Sequence, residues 1–212
     1  MDRMYAPWRL AFVEGKKAEA LPCPSGCIFC DYPVHPDADV PDAQKDSPPS
    51  PASPKSTHNP KLEKETRARW DAKRLVVTAR EHAFVILNKY PYTNGHVMVV
   101  PYAHTDQLES LDEDAFLSVH QLLRETIAAV RKAYAPHGIN VGMNMGQAAG
   151  AGIAEHVHYH VLPRWNGDTN FMPVFSDTRV ISEGISDTYK RLVGLLRKPS
   201  EGFFPTEKNE EK

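Results

Sequence analysis

Three histidines stand at alternate positions in "EHVHYHVLPRW": His156, His158 and His160, with Val157 and Tyr159 between them. On a β-strand, residues two apart share a face, so the imidazoles would line one side while Val157, Tyr159 and Val161 pack on the other. The row admits two chemistries: a three-histidine metal site, or a nucleophile with orienting neighbours. Ligation of one ion by all three is awkward from a straight strand, because the outer pair stands about 13 Å apart at about 3.3 Å per residue. One histidine therefore acts without the others' metal. An imidazole can attack phosphorus directly, giving a covalent intermediate that splits one hard substitution into two easier ones. Phosphorus chemistry also needs N–H donors for the developing charge. The glycine-rich "GQAAGAG", residues 146–152, lies just ahead of the row, where its backbone can fold over the site.

A second cluster is "PCPSGCIFC", which holds all three cysteines of the chain, Cys23, Cys27 and Cys30. An odd number within eight residues suits a metal half-site better than a disulfide framework. Cys27 and Cys30 have the spacing of a zinc knuckle, and Cys23 is the spare.

Elements that would position these groups follow from the apolar patterning. "RLVVT" (74–78) and "AFVILN" (83–88) predict two strands, "KYPYTNG" (89–95) a reversal, and "HVMVVP" (96–101) a third strand ended by Pro101. Ser110 and Glu113 form a capping box, after which Phe116, Val119, Leu123, Ile127 and Val130 recur at helical spacing through Tyr134. "INVGMNM" (139–145) and "EHVHYHVLP" (155–163) predict a fourth and a fifth strand, the latter stopped by Pro163. A strand around "TRVIS" (178–182) and a short helix over 187–198 close the order. This succession predicts an α+β fold: an antiparallel sheet of about five strands, one long helix and a short C-terminal helix.

The 212 residues, 41% hydrophobic and 25% charged, suit one ordinary soluble domain. Residues 33–66, rich in Pro, Ser, Asp and Lys, read as a disordered insertion. The domain then comprises 67–200, continuous with the cysteine-bearing segment 1–32, and 201–212 reads as a flexible tail. Net charge is −2, which gives no excess of positive charge for gripping a nucleic acid polymer. No apolar run reaches membrane-spanning length and "MDRMYAPWRL" lacks a signal peptide's apolar region, so no membrane association and a cytoplasmic location are expected.

"HVHYHVL" matches the signature His-φ-His-φ-His-φ-φ, with φ an apolar residue, and it is accompanied by "CIFC", "NKYPYTNGHVMVVPYAH" and "NVGMNMG". With these blocks the chain resembles the histidine triad family over most of residues 1–175 apart from the insertion. "YAPWR" and "PRWNGDTNF" make it most similar to the branch that contains bacterial diadenosine tetraphosphate phosphorylases. The resemblance implies the histidine triad fold and a nucleotidyl-histidine intermediate on His158, with His160 and His96 as the hydrogen-bonding partners that organise the site. It places Asn88 at the ribose and Asn144 near the phosphates. Phosphate contact through the backbone of Gly150, Ala151 and Gly152 is inferred from the glycine-rich turn. That turn, "AGAGIAEH", lacks the Gln followed by Ser or Thr that many members carry and has one extra residue, so leaving-group contacts fall to backbone groups.

The same resemblance implies a structural zinc held by Cys27, Cys30, His104 and His156, which fills the four places a closed tetrahedral site requires. It further implies a homodimer formed through the long helix and an edge strand. The expected activity is cleavage of dinucleoside polyphosphates, as a phosphorylase or a hydrolase. Three alternatives stand beside it: a nucleoside phosphoramidate hydrolase; a hexose-phosphate nucleotidyltransferase, disfavoured because such relatives have more chain than one such domain; and a nucleotide-binding regulatory module with incidental activity.

Overall fold

The computed structural model describes residues 25–33, 60–169 and 181–197. Its elements are α1 (Ile28–Asp31), α2 (Pro60–Arg74), β1 (Val76–Ala79), β2 (Ala83–Leu87), β3 (Val97–Pro101), α3 (Glu113–Tyr134), β4 (Gly138–Gly142), β5 (Tyr159–Arg164) and α4 (Ile185–Leu196), with 3-10 turns at Leu108–Ser110 and Gln147–Ala149. The five strands form one antiparallel sheet in the order β1-β2-β3-β5-β4. This is the α+β architecture that the apolar patterning predicts. Among the described residues no helix is long and apolar enough to cross a membrane.

Strand alternation sorts the side chains into two layers. Val77, Val85, Leu87, Val97, Val99 and Val161 face α3 and α4, meeting Val119, Leu122, Leu123 and Val130 of the first and Leu192, Val193 and Leu196 of the second. Val76, Phe84, Ile86, Met98 and Val100 face the other way, onto Cys27 and Phe29 of the N-terminal knuckle. Both faces are covered, which is why β2 and β3 are apolar at every position and buried throughout. His160 pairs with Met98 across β3 and β5, so it shares the knuckle's face of the sheet.

Local chemistry fixes the ends of α3. Its N-cap is Asp112, whose carboxylate accepts the Ala115 N–H at 2.7 Å, with Glu113 and Asp114 in the first turn and Arg131 and Lys132 in the last. Ser110 does not cap it. Its hydroxyl instead closes the preceding turn onto Thr105 Oγ1 and the Gln107 carbonyl. The helix stops at Ala135, which takes a left-handed conformation with φ of 42° before Pro136.

Three expectations need correction. Helix α2 begins at Pro60, inside the stretch 33–66 read as an insertion. Proline is tolerated in a first helical turn, and "KLEKETRARWDAKR" is rich in straight-chain helix formers; Ala68, Trp70, Asp71 and Arg74 then anchor the helix by burial. Residues 34–59, Cys23 and the tail 201–212 lie outside the described residues, as do Thr178–Val180 of "TRVIS"; its remaining Ile181 and Ser182 are not in a strand. Finally, β5 starts at Tyr159 rather than 155 and continues past Pro163 to Arg164. Beyond Val161 only β4 pairs with it, so the missing N–H of Pro163 breaks no bond to β3.

Candidate active site and metal centre

The late start of β5 changes the geometry of the histidine row. Val157 donates its N–H to the Thr105 carbonyl at 2.8 Å, so the chain around His156 pairs with the loop after β3 and not with β3 itself. His156, His158 and His160 are all buried, at 1%, 4% and 9% exposure, and each has a different set of partners. His158 Nδ1 lies 2.8 Å from the carbonyl oxygen of His156. A carbonyl only accepts, so Nδ1 carries the proton and Nε2 carries the lone pair. Burial pulls the pKa of His158 below its ordinary value, more than the bond to the carbonyl raises it. The ring is thus neutral near pH 7 with a nucleophilic nitrogen. Phe29, wholly buried, packs against it with ring centroids 4.8 Å apart.

A second chain of bonds assigns the tautomers of the neighbouring pair. The Tyr92 N–H donates to His96 Nδ1 at 3.1 Å, which leaves the His96 proton on Nε2. That nitrogen lies 2.9 Å from His160 Nδ1. His96 therefore donates, His160 accepts, and a neutral His160 holds its own proton on Nε2. Its ring stands edge-on to that of His158 at 4.8 Å. Tyr92 also stacks on His96 at 4.9 Å. Sequence reasoning missed Tyr92 and Phe29; the signal available was their position inside "KYPYTNGH" and "CIFC".

Cys27, Cys30, His104 and His156 converge, with one ligand atom from each lying within 4.8 Å of all the others. Cys27 Sγ is 3.4 Å and Cys30 Sγ 3.7 Å from His156 Nδ1, while Cys30 Sγ is 3.2 Å from His104 Nδ1. Bond lengths of about 2.3 Å to sulfur and about 2.0 Å to nitrogen give tetrahedral S···N edges of about 3.5 Å, so the donors fit one ion. His156 Nε2 donates to the Pro101 carbonyl at 2.9 Å, which aims the Nδ1 lone pair at the sulfurs. Burial first, and then the neighbouring Cys27, push the Cys30 thiol up to about 12. The protein alone thus does not stabilise this thiolate; a cation would. Burial likewise pulls His156 down to about 4. The knuckle is preformed by Ser25, whose hydroxyl donates to Asp31 at 2.8 Å and accepts the Cys27 N–H at 3.1 Å across the left-handed Gly26.

The proposed substrate contacts fare unevenly. Asn88 Oδ1 accepts the Tyr90 N–H at 2.9 Å, which closes the turn leading to His96 and occupies that oxygen locally. Asn144 sits half-buried just beyond β4. In the glycine turn, the Gly150 and Ala151 N–H groups donate to the Gln147 and Gly146 carbonyls at 2.9 and 3.4 Å. These two bonds close the turn, and Gly152 lies beyond them. Ile153 packs against the Phe29, Phe84 and Met98 cluster, which brings the end of the turn onto the histidine face. A cleft of about 540 Å³ runs between this turn and His104, lined by Asp106, Gln147 and Glu155 among others. His158 is not on its wall, so the cleft borders the Cys/His cluster and not His158.

A family model described as HIT domain matches residues 69–167. An AP-4-A phosphorylase from Mycobacterium tuberculosis is 39% identical over 122 residues, which cover 58% of this chain and 63% of that protein. The chain thus spans less than two thirds of that relative's length. An uncharacterized HIT-like protein from Saccharolobus solfataricus is 31% identical over 109 residues, 47% of this chain and 78% of that one. An adenosine 5′-monophosphoramidase from Schizosaccharomyces pombe is 31% identical over 93 residues, 44% of this chain and 65% of that one. Carrying the triad His156, His158 and His160 and matching a HIT-like relative over most of that relative's length, the chain belongs to the HIT, or histidine triad, family.

Proposed function

We propose that this protein cleaves dinucleoside polyphosphates, diadenosine tetraphosphate among them, by nucleotidyl transfer through His158. The observation that carries the reading is the bond from His158 Nδ1 to the His156 carbonyl, because it leaves the Nε2 lone pair as nucleophile. In the first step Nε2 forms a bond to the α-phosphorus while the bond from phosphorus to the bridging oxygen of the leaving nucleoside polyphosphate breaks. The positive charge that develops on the ring is met at Nδ1–H by the carbonyl, a bond that strengthens as it becomes charge-assisted. His160, with its proton on Nε2, supplies a donor beside the reacting oxygens. In the second step an oxygen of the acceptor attacks phosphorus and the N–P bond breaks, returning neutral His158.

Inorganic phosphate as the acceptor makes the enzyme a phosphorylase, and water makes it a hydrolase. The 39% identity to an AP-4-A phosphorylase supports the former. Zinc on Cys27, Cys30, His104 and His156 would be structural, since four protein ligands leave no open position for a reacting group. Asn88 at the ribose, and Asn144 and the backbone of Gly150, Ala151 and Gly152 near the phosphates, complete the proposal.

The test is a product analysis with diadenosine tetraphosphate, with and without phosphate, beside His158→Ala. ADP and ATP formed only with phosphate support the phosphorylase, and AMP and ATP formed without it support the hydrolase. No turnover of the dinucleotide, with release of AMP from adenosine 5′-phosphoramidate, moves the assignment to the second reading, which the 31% identity to a monophosphoramidase favours.

A further inference from the structure

Glu183 belongs to none of the sequence blocks that mark the site, yet it gathers an unusual number of donors. Its carboxylate accepts from Tyr134 Oη at 2.7 Å, from Thr188 Oγ1 at 2.9 Å, and from Arg191 Nε and Nη2 at 3.0 and 2.7 Å. Its backbone N–H donates to Asn94 Oδ1 at 3.3 Å, and Asn94 Nδ2 donates to Ser182 Oγ at 2.6 Å. The segment ahead of α4 is thereby fastened to the end of α3 and to the turn between β2 and β3.

That turn carries His96, and its contact with Tyr134 is close. Gly95 sits at φ +76°, and a Cβ there would lie 2.6 Å from Tyr134 Cε2, a clash that only glycine avoids. Trp165, from the "PRW" block that follows the triad, packs edge-on against the same Tyr134 ring at 6.4 Å. Tyr134 is thus the floor on which the turn rests, and Glu183 holds that floor by its hydroxyl. Immediately beyond Gly95, His96 takes the Tyr92 N–H on Nδ1 and offers Nε2–H to His160. Capping of α4 alone would account for the bond from Thr188, but not for those to Asn94 and Tyr134.

We propose that Glu183, Tyr134 and Asn94 form a positioning clasp that fixes the His96–His160 pair from behind the site, and with it the proton that His160 presents to the reacting phosphate. The catalytic half of this inference rests on the function proposed above. In this proposal the clasp acts through the turn, by holding His96 in place. A floor displaced by a fraction of an ångström would let the His96 ring rotate and lose its single tautomer.

The experiment uses the full chain and the variants Asn94→Ala, Glu183→Ala, Glu183→Gln and, as a control elsewhere on α4, Lys190→Ala. Long-range ¹H–¹⁵N NMR of the histidine rings reads the tautomers, and steady-state kinetics with diadenosine tetraphosphate reads kcat and KM separately. In the wild type, His96 and His160 both show the Nε2–H form. Asn94→Ala and Glu183→Ala are expected to give mixed tautomers at both rings and to lower kcat about 10-fold while KM moves less than about 2-fold. Glu183→Gln keeps an acceptor for Tyr134 and Thr188 and returns kcat to within about 3-fold of wild type; Lys190→Ala matches wild type. Should Glu183→Ala not fold, Asn94→Ala carries the test. A single tautomer retained at both rings would overturn the clasp, whatever happens to melting temperature, and mixed tautomers with unchanged kcat would overturn its catalytic half. If the wild type turns over no dinucleotide, the functional reading fails by itself and the ring tautomers alone decide the clasp.

Discussion

Replacing His96 by phenylalanine isolates what the buried histidine pair contributes. The phenyl ring is larger than the imidazole, so no cavity opens and Tyr92 can still stack; hydrogen bonding disappears, and overpacking at this fully buried position can only add to that loss. Two partners are orphaned. His160 Nδ1, in a residue only 9% exposed, loses its donor at 2.9 Å. The Tyr92 N–H, in a half-buried residue, loses its acceptor at 3.1 Å. An unsatisfied buried group costs about 1–3 kcal/mol, and solvent access discounts the second, so the variant should lose about 2–4 kcal/mol of stability. A typical domain retains about 5–15 kcal/mol, so it still folds. In urea, with a slope of about 2 kcal/mol per molar, the midpoint should fall by about 1–2 M at unchanged slope. Kinetically, His160 is free to exchange its proton between nitrogens, and kcat should fall about 10- to 100-fold. As a contrast, His82→Ala removes a half-exposed ring paired with exposed Glu81 and should change stability by less than about 0.5 kcal/mol. A His96→Phe midpoint within about 0.3 M of wild type, with kcat intact, would refute the reasoning.

Three further expectations follow from the geometry. Burial pushes the Cys30 thiol up to about 12, so a metal-free site is protonated there near neutral pH and zinc must displace at least one proton; calorimetric titration of the apo protein in two buffers of different ionisation enthalpy should give different heats, and buffer-independent heat would contradict the site. As the proposed nucleophile His158 would act when neutral, and burial holds its pKa below the ordinary 6.5, so kcat/KM should stay level as pH falls to about 6.5 and decline only below it. The stability linkage has the same sign: the folded pKa lies under the unfolded one, so the contribution is complete above about 6.5 and is lost as pH drops; an acid limb centred above 7 would be inconsistent with both. Ala135 ends α3 at φ 42°, a conformation costing a non-glycine residue about 1–2 kcal/mol; after the extra unfolded-state freedom of glycine is subtracted, Ala135→Gly should stabilise by about 0.5–1 kcal/mol in urea unfolding, and a destabilised variant would show that the strain is absent.

What the sequence made legible was whatever rests on period and on local chemistry. The continuous apolar runs "AFVIL" and "VMVVP", the helical spacing of Val119, Leu123 and Val130 and the two-residue gap in "CIFC" each need only neighbours along the chain to be understood: the runs are buried strands, the helix buries those three residues though not Phe116, and the two sulfurs join a cluster that could hold a metal ion. Helix α2 was hidden because its residues are polar on average; the burial of Ala68, Trp70, Asp71 and Arg74 reveals that it packs. Asp71 pairs with Arg197, 126 residues further on. The capping of α3 went to Asp112 and not Ser110 because Thr105 and Gln107 already claim the serine hydroxyl, a competition that pattern matching cannot weigh.

The histidine row itself shows why spacing alone was insufficient. A uniform strand would present three equivalent imidazoles, and their division of roles would then need an outside explanation. The structure supplies one in the backbone. Because Val157 bonds to Thr105 outside the sheet, His156 turns its Nε2 to Pro101 and its Nδ1 to the cysteines. The carbonyl of that same residue takes the Nδ1 proton of His158. His160, already within β5, meets His96 across β3 instead. Each ring's tautomer is thus dictated by a different backbone group, Pro101, His156 or Tyr92. The proposed ligand and the proposed nucleophile are joined through the His156 carbonyl, so a shift at the Cys/His cluster should be felt at His158 without any side chain lying between them.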